Sequence, residues 1–157
     1  MESQTSVEPY WAALTVWVVV NAVNLLQTVG FISRVRTGGS MAINHILGYV
    51  IIALAVPAAV ALVAFLLAGA GWLYWAGPAV YLAFVVFEVI VDYVRPVEFR
   101  SPMRKSILVP YLVLFFGAIL LMGLPMFYLD RRLWFVTVLT TVLLLGSMVV
   151  AMRKGVG

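Results

Sequence analysis

Five apolar runs, each about twenty residues or longer, follow one another along the chain at 10–32, 42–67, 72–94, 107–129 and 133–152. As helices, each is long enough to cross a hydrocarbon layer of ~30 Å. Polar punctuation separates them. Ser33 to Ser40 is a basic loop with Arg34, Arg36 and the Gly38-Gly39 breaker, and 68–71 is a tight turn. Residues 95–106 form the longest loop, and Asp130-Arg131-Arg132 a three-residue turn. The pattern predicts an all-α integral membrane protein, a single five-helix transmembrane bundle over 1–157. Pro57, Pro110 and Pro125 predict kinked helices, whereas Pro78 lies near the start of its run, where a missing N–H costs little. Five runs do not divide into equal halves, and their polar residues do not correspond, so no internal repeat is expected.

The polar positions inside the apolar runs are few and are not scattered. Glu88 and Asp92 stand in the third run, four apart and hence on one helical face, with Tyr81 seven before Glu88 near the same line. The first run carries Asn21, Asn24 and Thr28 as one stripe, bordered by Gln27. Asn44 and His45 open the second run. Counting rise from the basic loops puts Glu88 and Gln27 roughly 10 Å inside the boundary and Asp92 roughly 4–5 Å inside. Three runs thus place polar side chains in the same half of the layer. A carboxylate near the middle of a membrane helix costs roughly 2.5–3.5 kcal/mol, so this face is expected to turn inward.

Composition sharpens the class. The chain is 65% hydrophobic and 10% charged, which leaves almost nothing for a soluble domain. It has no cysteine, so thiol chemistry and thiolate metal sites are excluded. The first nine residues hold Glu2 and Glu8 but no Lys or Arg, unlike a secretory signal, and the first run is expected to be retained as an anchor. With five spans, Arg34, Arg36, Arg95, Arg100, Arg104, Lys105, Arg153 and Lys154 share one side, against Arg131 and Arg132 on the other. The positive-inside rule then sets the N-terminus outside and the C-terminus inside, in a cell or inner membrane. Tyr10, Trp11, Trp72, Trp75, Tyr128 and Trp134 fall at the outer ends, as an interfacial belt would. The basic residues are spread over several short segments, which argues against a nucleic-acid partner. Arg95, Arg100, Arg104 and Lys105 are expected to meet anionic lipid headgroups.

Carboxylates beside amide carbonyls offer hard oxygen ligands, and a carboxyl group shielded from water can carry a proton. Glu88, Asp92, Asn24, Gln27, Asn21, His45 and Tyr81 are therefore the candidate residues of a site that binds or transports a small solute or cation, linked to a proton. Plainer roles compete with this reading. Asp92 can pair with Arg95, Arg34 or Arg36, Glu88 can bond Asn24 or Gln27, the asparagine stripe can fasten helices together, and His45 can cap a helix start. At the level of the whole protein, the alternatives are a non-catalytic accessory subunit whose stripe fastens it to a partner, or a membrane-embedded enzyme acting on a lipid or isoprenoid. A single histidine implies neither haem nor zinc, and no cofactor is implied. The Gly-x-Ser-x motif of intramembrane serine proteases is absent. The small residues Ala61, Ala64 and Ala68 make a close-packing face on the second run, the expected contact of a homo-oligomer.

Overall fold

The computed structural model describes residues 9–94 and 104–156. These form α1 (Tyr10–Arg36), α2 (Ala42–Ala53), α3 (Ala55–Leu67), α4 (Trp72–Glu88), a π-helical turn (Val89–Val94), α5 (Lys105–Leu129) and α6 (Arg131–Arg153). Helices α2 and α3 make one span, as do α4 and the π turn. Five helical spans are thus long and apolar enough to cross a membrane, and no strand occurs among the described residues. The protein is a five-helix, multi-pass membrane bundle. Segment 95–103, with Arg95 and Arg100 of the expected headgroup surface, lies outside the described residues; Arg104 and Lys105 stand exposed at the start of α5.

Four boundaries differ from the sequence expectation, each for a local reason. α1 runs one turn past residue 32, so Ser33 to Arg36 are helical and not loop. The backbone first enters left-handed φ only at Gly38 (+64°) and Gly39 (+103°), and two arginines in the last turn suit the negative end of the helix dipole. The second span breaks at Leu54, three residues before Pro57, whose ring and missing N–H interrupt the ladder. Pro57 then sits in the first turn of α3, where no donor is needed. The third span widens into a π turn directly after Glu88. The turn between α5 and α6 is one residue and not three, because Asp130 caps α6: its carboxylate accepts from the backbone N–H of Arg132 (2.8 Å) and Leu133 (3.4 Å).

The helices pack in the cyclic order α1, α3, α4, α5, α6, with the last span returning to the first. The core between them holds Val16, Val20, Phe65, Phe84, Met122 and Leu144, all essentially buried. α4 and α5 cross closely at Gly77, where a Cβ would lie 2.7 Å from the Met122 backbone N. Ala58 and Ala61 are also fully buried, against neighbours in the same chain. Of the small-residue face expected to make an oligomer contact, Ala61 is thus used within the protomer, while Ala64 is half-buried and Ala68 exposed. Tyr10, Trp11, Trp72 and Tyr128 are exposed at one end of the bundle, the aromatic end. Arg36, Lys105, Arg153 and Lys154 are exposed at the other, the basic end.

The close crossing at Gly77 is testable. Gly77→Ala should destabilise the protein by about 1–3 kcal/mol, because backbone cannot yield as a side chain can. Gly117→Ala, whose added methyl would meet only Val80 Cγ1 at an ordinary 3.8 Å, should be tolerated. Unfolding in mixed micelles by added SDS measures both.

Candidate functional site

Polar side chains inside the bundle fall into two groups. The first joins α1 to α6. Trp17 Nε1 donates to the Leu133 carbonyl (2.8 Å), and Asn21 Nδ2 donates to Thr137 Oγ1 (3.1 Å). Thr140 Oγ1 donates to Asn21 Oδ1 (2.8 Å). Asn24 Nδ2 lies 3.1 Å from Thr140 Oγ1 and donates to Thr141 Oγ1 at 3.0 Å. The pairs 17/133, 21/137 and 24/140 keep a constant sequence offset of 116, so the two helices run parallel and in register. Thr28 Oγ1 turns back to the Asn24 carbonyl. Among the described residues Asn24 Oδ1, fully buried, accepts no hydrogen bond. The described bonds of the asparagine stripe therefore go to α6 and to α1 itself. Gln27, beside the stripe, is half-buried.

The second group gathers α1, α2 and the α4–π stretch toward the basic end. Because α1 is a turn longer than its apolar run, Arg34 lies inside the bundle, 6% exposed, with its guanidinium carbon 4.4 Å from the Phe31 ring centre. With its amide oriented to satisfy both ends, Asn44 of α2 donates to the Gly30 carbonyl and accepts from Arg34 Nε, each at 3.3 Å. Tyr93, in the π turn, sets its hydroxyl against Gly48 of α2, where a Cβ would collide with it. The Tyr93 ring packs edge-on to His45 (6.4 Å) and tilted against Tyr49 (5.2 Å). His45 is exposed, with Nδ1 3.2 Å from the Met41 carbonyl at the start of α2.

Glu88 is the last α-helical residue of α4 and is 6% exposed. Tyr81 and Tyr93 bracket it along the helix, and both reach α2. The Tyr81 hydroxyl donates to the Ile51 carbonyl at 2.6 Å, beside the Leu54 break. It also lies within electrostatic reach of Glu88. Asp92 is half-buried in the π turn. A π turn takes more residues per revolution than an α turn, so a four-residue step no longer completes a full turn. Asp92 is accordingly offset from the α-helical line through Glu88.

Of the residues singled out from the sequence, then, Asn21 and Asn24 join α6, Tyr81, Glu88 and Asp92 belong to the third-span stretch that meets α2, and His45 belongs to α2 itself. Asn44 joins the second group as its place at the start of the second run suggested, whereas Arg34 and Tyr93 are members that pattern reading placed elsewhere or passed over. Arg34 looked like loop, and the signal for Tyr93 was Gly48, a gap in an otherwise bulky α2. No group of three or more His, Cys, Asp or Glu side chains suited to a metal ion occurs among the described residues.

Two hollows among the described residues open on the apolar outer surface of the bundle. One, of about 240 Å³, is lined by Leu14, Thr15, Val18, Val19, Leu54 and Pro57. The other, of about 450 Å³, lies between the basic-end halves of α1 and α6. No protein-family model matches the chain, and no curated protein or solved structure shows significant similarity to it.

The α1–α6 ladder predicts a measurable coupling. In a double-mutant cycle of Asn24→Ala and Thr140→Ala, the interaction energy should be about 0.6 kcal/mol and no more than about 1.7 kcal/mol, the average and the maximum for hydrogen bonds between membrane helices. Pairing Asn24→Ala with Ser147→Ala, which lies a turn or more beyond, should give additive effects.

Proposed function

We propose that this chain binds a small polar solute at the basic end of the bundle and moves it, with Glu88 carrying the linked proton. The observation that supports this most is the burial of Glu88 at an α-to-π junction, between two tyrosines that touch a sparsely buried helix. Intramembrane carboxylates and π turns both concentrate at functional sites. Helix α2, which meets that stretch at Tyr81 and Tyr93, buries only Gly48 and Ile51 of its twelve residues.

Neither hollow described above is lined by Glu88, and in this reading a solute reaches the carboxyl group through movement. The break at Leu54 gives α2 a hinge, and the π turn gives the facing segment a second. Arg34 and Asn44 enter from α1 and α2, Glu88 and Asp92 from the third span. A site with both signs suits an amine-bearing or zwitterionic solute better than a bare metal ion. Oriented by the positive-inside rule, the opening faces the cytoplasm.

The rival accessory-subunit reading relied on the asparagine stripe as a fastening for a partner. Those amides are engaged with α6, which leaves the solute reading the better supported of the two.

Glu88→Gln keeps the shape and removes the proton. In proteoliposomes screened with amines and amino acids, it should abolish pH-dependent uptake, at least about tenfold, while the melting temperature in detergent stays close to wild type. Uptake with unaltered pH dependence would remove Glu88 from the mechanism. Tyr81→Phe releases the Ile51 carbonyl, so hydrogen exchange should accelerate across α2 and leave α3 little changed.

A further inference from the structure

The larger hollow carries a second site, independent of Glu88. Its walls are Thr28, Ile32, Val35 and Arg36 of α1, facing Val142, Leu143, Gly146, Ser147 and Val150 of α6. Both hydroxyls on these walls are turned away. Thr28 Oγ1 donates to the Asn24 carbonyl and Ser147 Oγ to the Leu144 carbonyl, each at 2.8 Å. The walls therefore present hydrocarbon to the hydrocarbon phase, with Arg36 as their one charged member. At Gly146 a Cβ would meet nothing within 4 Å, so the missing side chain helps leave the groove empty of protein.

The basic mouth of this groove is cationic. Arg36, Arg153 and Lys154 are all exposed there. The ends of α1 and α6 are drawn together at this point, since a Cβ on Gly39 would lie 3.5 Å from Val156 Cγ1. Neither α1 nor α6 contains an Asp or Glu. A volume of about 450 Å³ is within the usual size of a small-molecule site, ~300–1,000 Å³. An apolar trough open to the bilayer, ending at cations on the boundary, matches one kind of occupant: an acyl chain joined to a phosphate. We infer that the α1–α6 groove seats one anionic phospholipid, its chain lying over Gly146 and its phosphate on Arg36, with Arg153 and Lys154 adding charge. The smaller hollow beside Pro57 has no cation in its lining and lacks this selectivity.

The test is native mass spectrometry of the full chain released from nanodiscs holding equal phosphatidylglycerol and phosphatidylcholine. Wild type should retain one phosphatidylglycerol in preference. Arg36→Gln should lower that preference about fivefold, the weight of one cation near a headgroup, with a lipid still bound. Gly146→Leu fills the trough from one wall, and Val142→Trp fills it from another position. Both should lose the bound lipid while keeping wild-type helicity and melting. Soluble glycerol phosphate, which has the phosphate without the chain, should not compete. Any of three results would overturn the assignment: no anionic preference in wild type, unchanged lipid occupancy in both filling variants, or displacement by glycerol phosphate.

Discussion

The parallel seam between the first and last spans is the constraint on which this bundle depends. Lipid is as apolar as leucine, so α1 and α6 gain little by hiding hydrocarbon from it. What holds them is packing around a run of buried amides and hydroxyls, Asn21 and Asn24 against Thr137, Thr140 and Thr141, extended at the aromatic end by Trp17 and the Leu133 carbonyl. Each polar group would be costly in hydrocarbon unpaired, so each bond selects one register. Because the offset is constant, the seam is straight, and it closes the ring of helices. It also stops short. Beyond Thr28 and Thr141 the facing residues are aliphatic or glycine apart from Ser147 and Arg36, and there the α1–α6 groove opens.

Close packing and helix regularity are distributed unevenly along the bundle axis. Toward the aromatic half, the contacts are of the close-packed kind: Gly77 against the Met122 backbone, and Ala58 and Ala61 fully buried. Toward the basic end the ladders are interrupted. The second span breaks at Leu54, the third widens after Glu88, and α2 buries little. Glu88 stands at the join between the close-packed half and the interrupted one. Irregular backbone at membrane depth is tolerated where it is buried in protein, and the Tyr81 hydroxyl on the Ile51 carbonyl shows how this chain satisfies it.

The basic end then concentrates two kinds of chemistry a short distance apart. Inside, Arg34, Asn44, Glu88 and Asp92 bring both signs of charge toward α2. Outside, Arg36, Arg153 and Lys154 crown an apolar trough. A lipid phosphate over that trough would sit on the same α1 end that carries Arg34 two residues earlier, so headgroup and interior site share one helix terminus.

Span number, span class and the gathering of charge at one end were legible in the residues alone, because they follow from length and hydropathy, which act locally and sum along the chain. Pro57 announced its break, since a missing N–H needs no partner to be felt. The partners of the polar side chains were not legible. Asn24 carries the same amide whether it faces Glu88 or Thr140, and helical spacing fixes the face of a helix but not which neighbour that face meets. Arg34 read as loop because hydropathy marks where an apolar run stops, whereas the helix continues until the backbone turns left-handed at Gly38. Only the packed structure decided that α6 takes the asparagine stripe, that Ala58 and Ala61 serve the interior, and that one residue, Asp130, suffices for the last turn. Those outcomes depend on which helices lie side by side, a choice made by pairwise fit between distant segments.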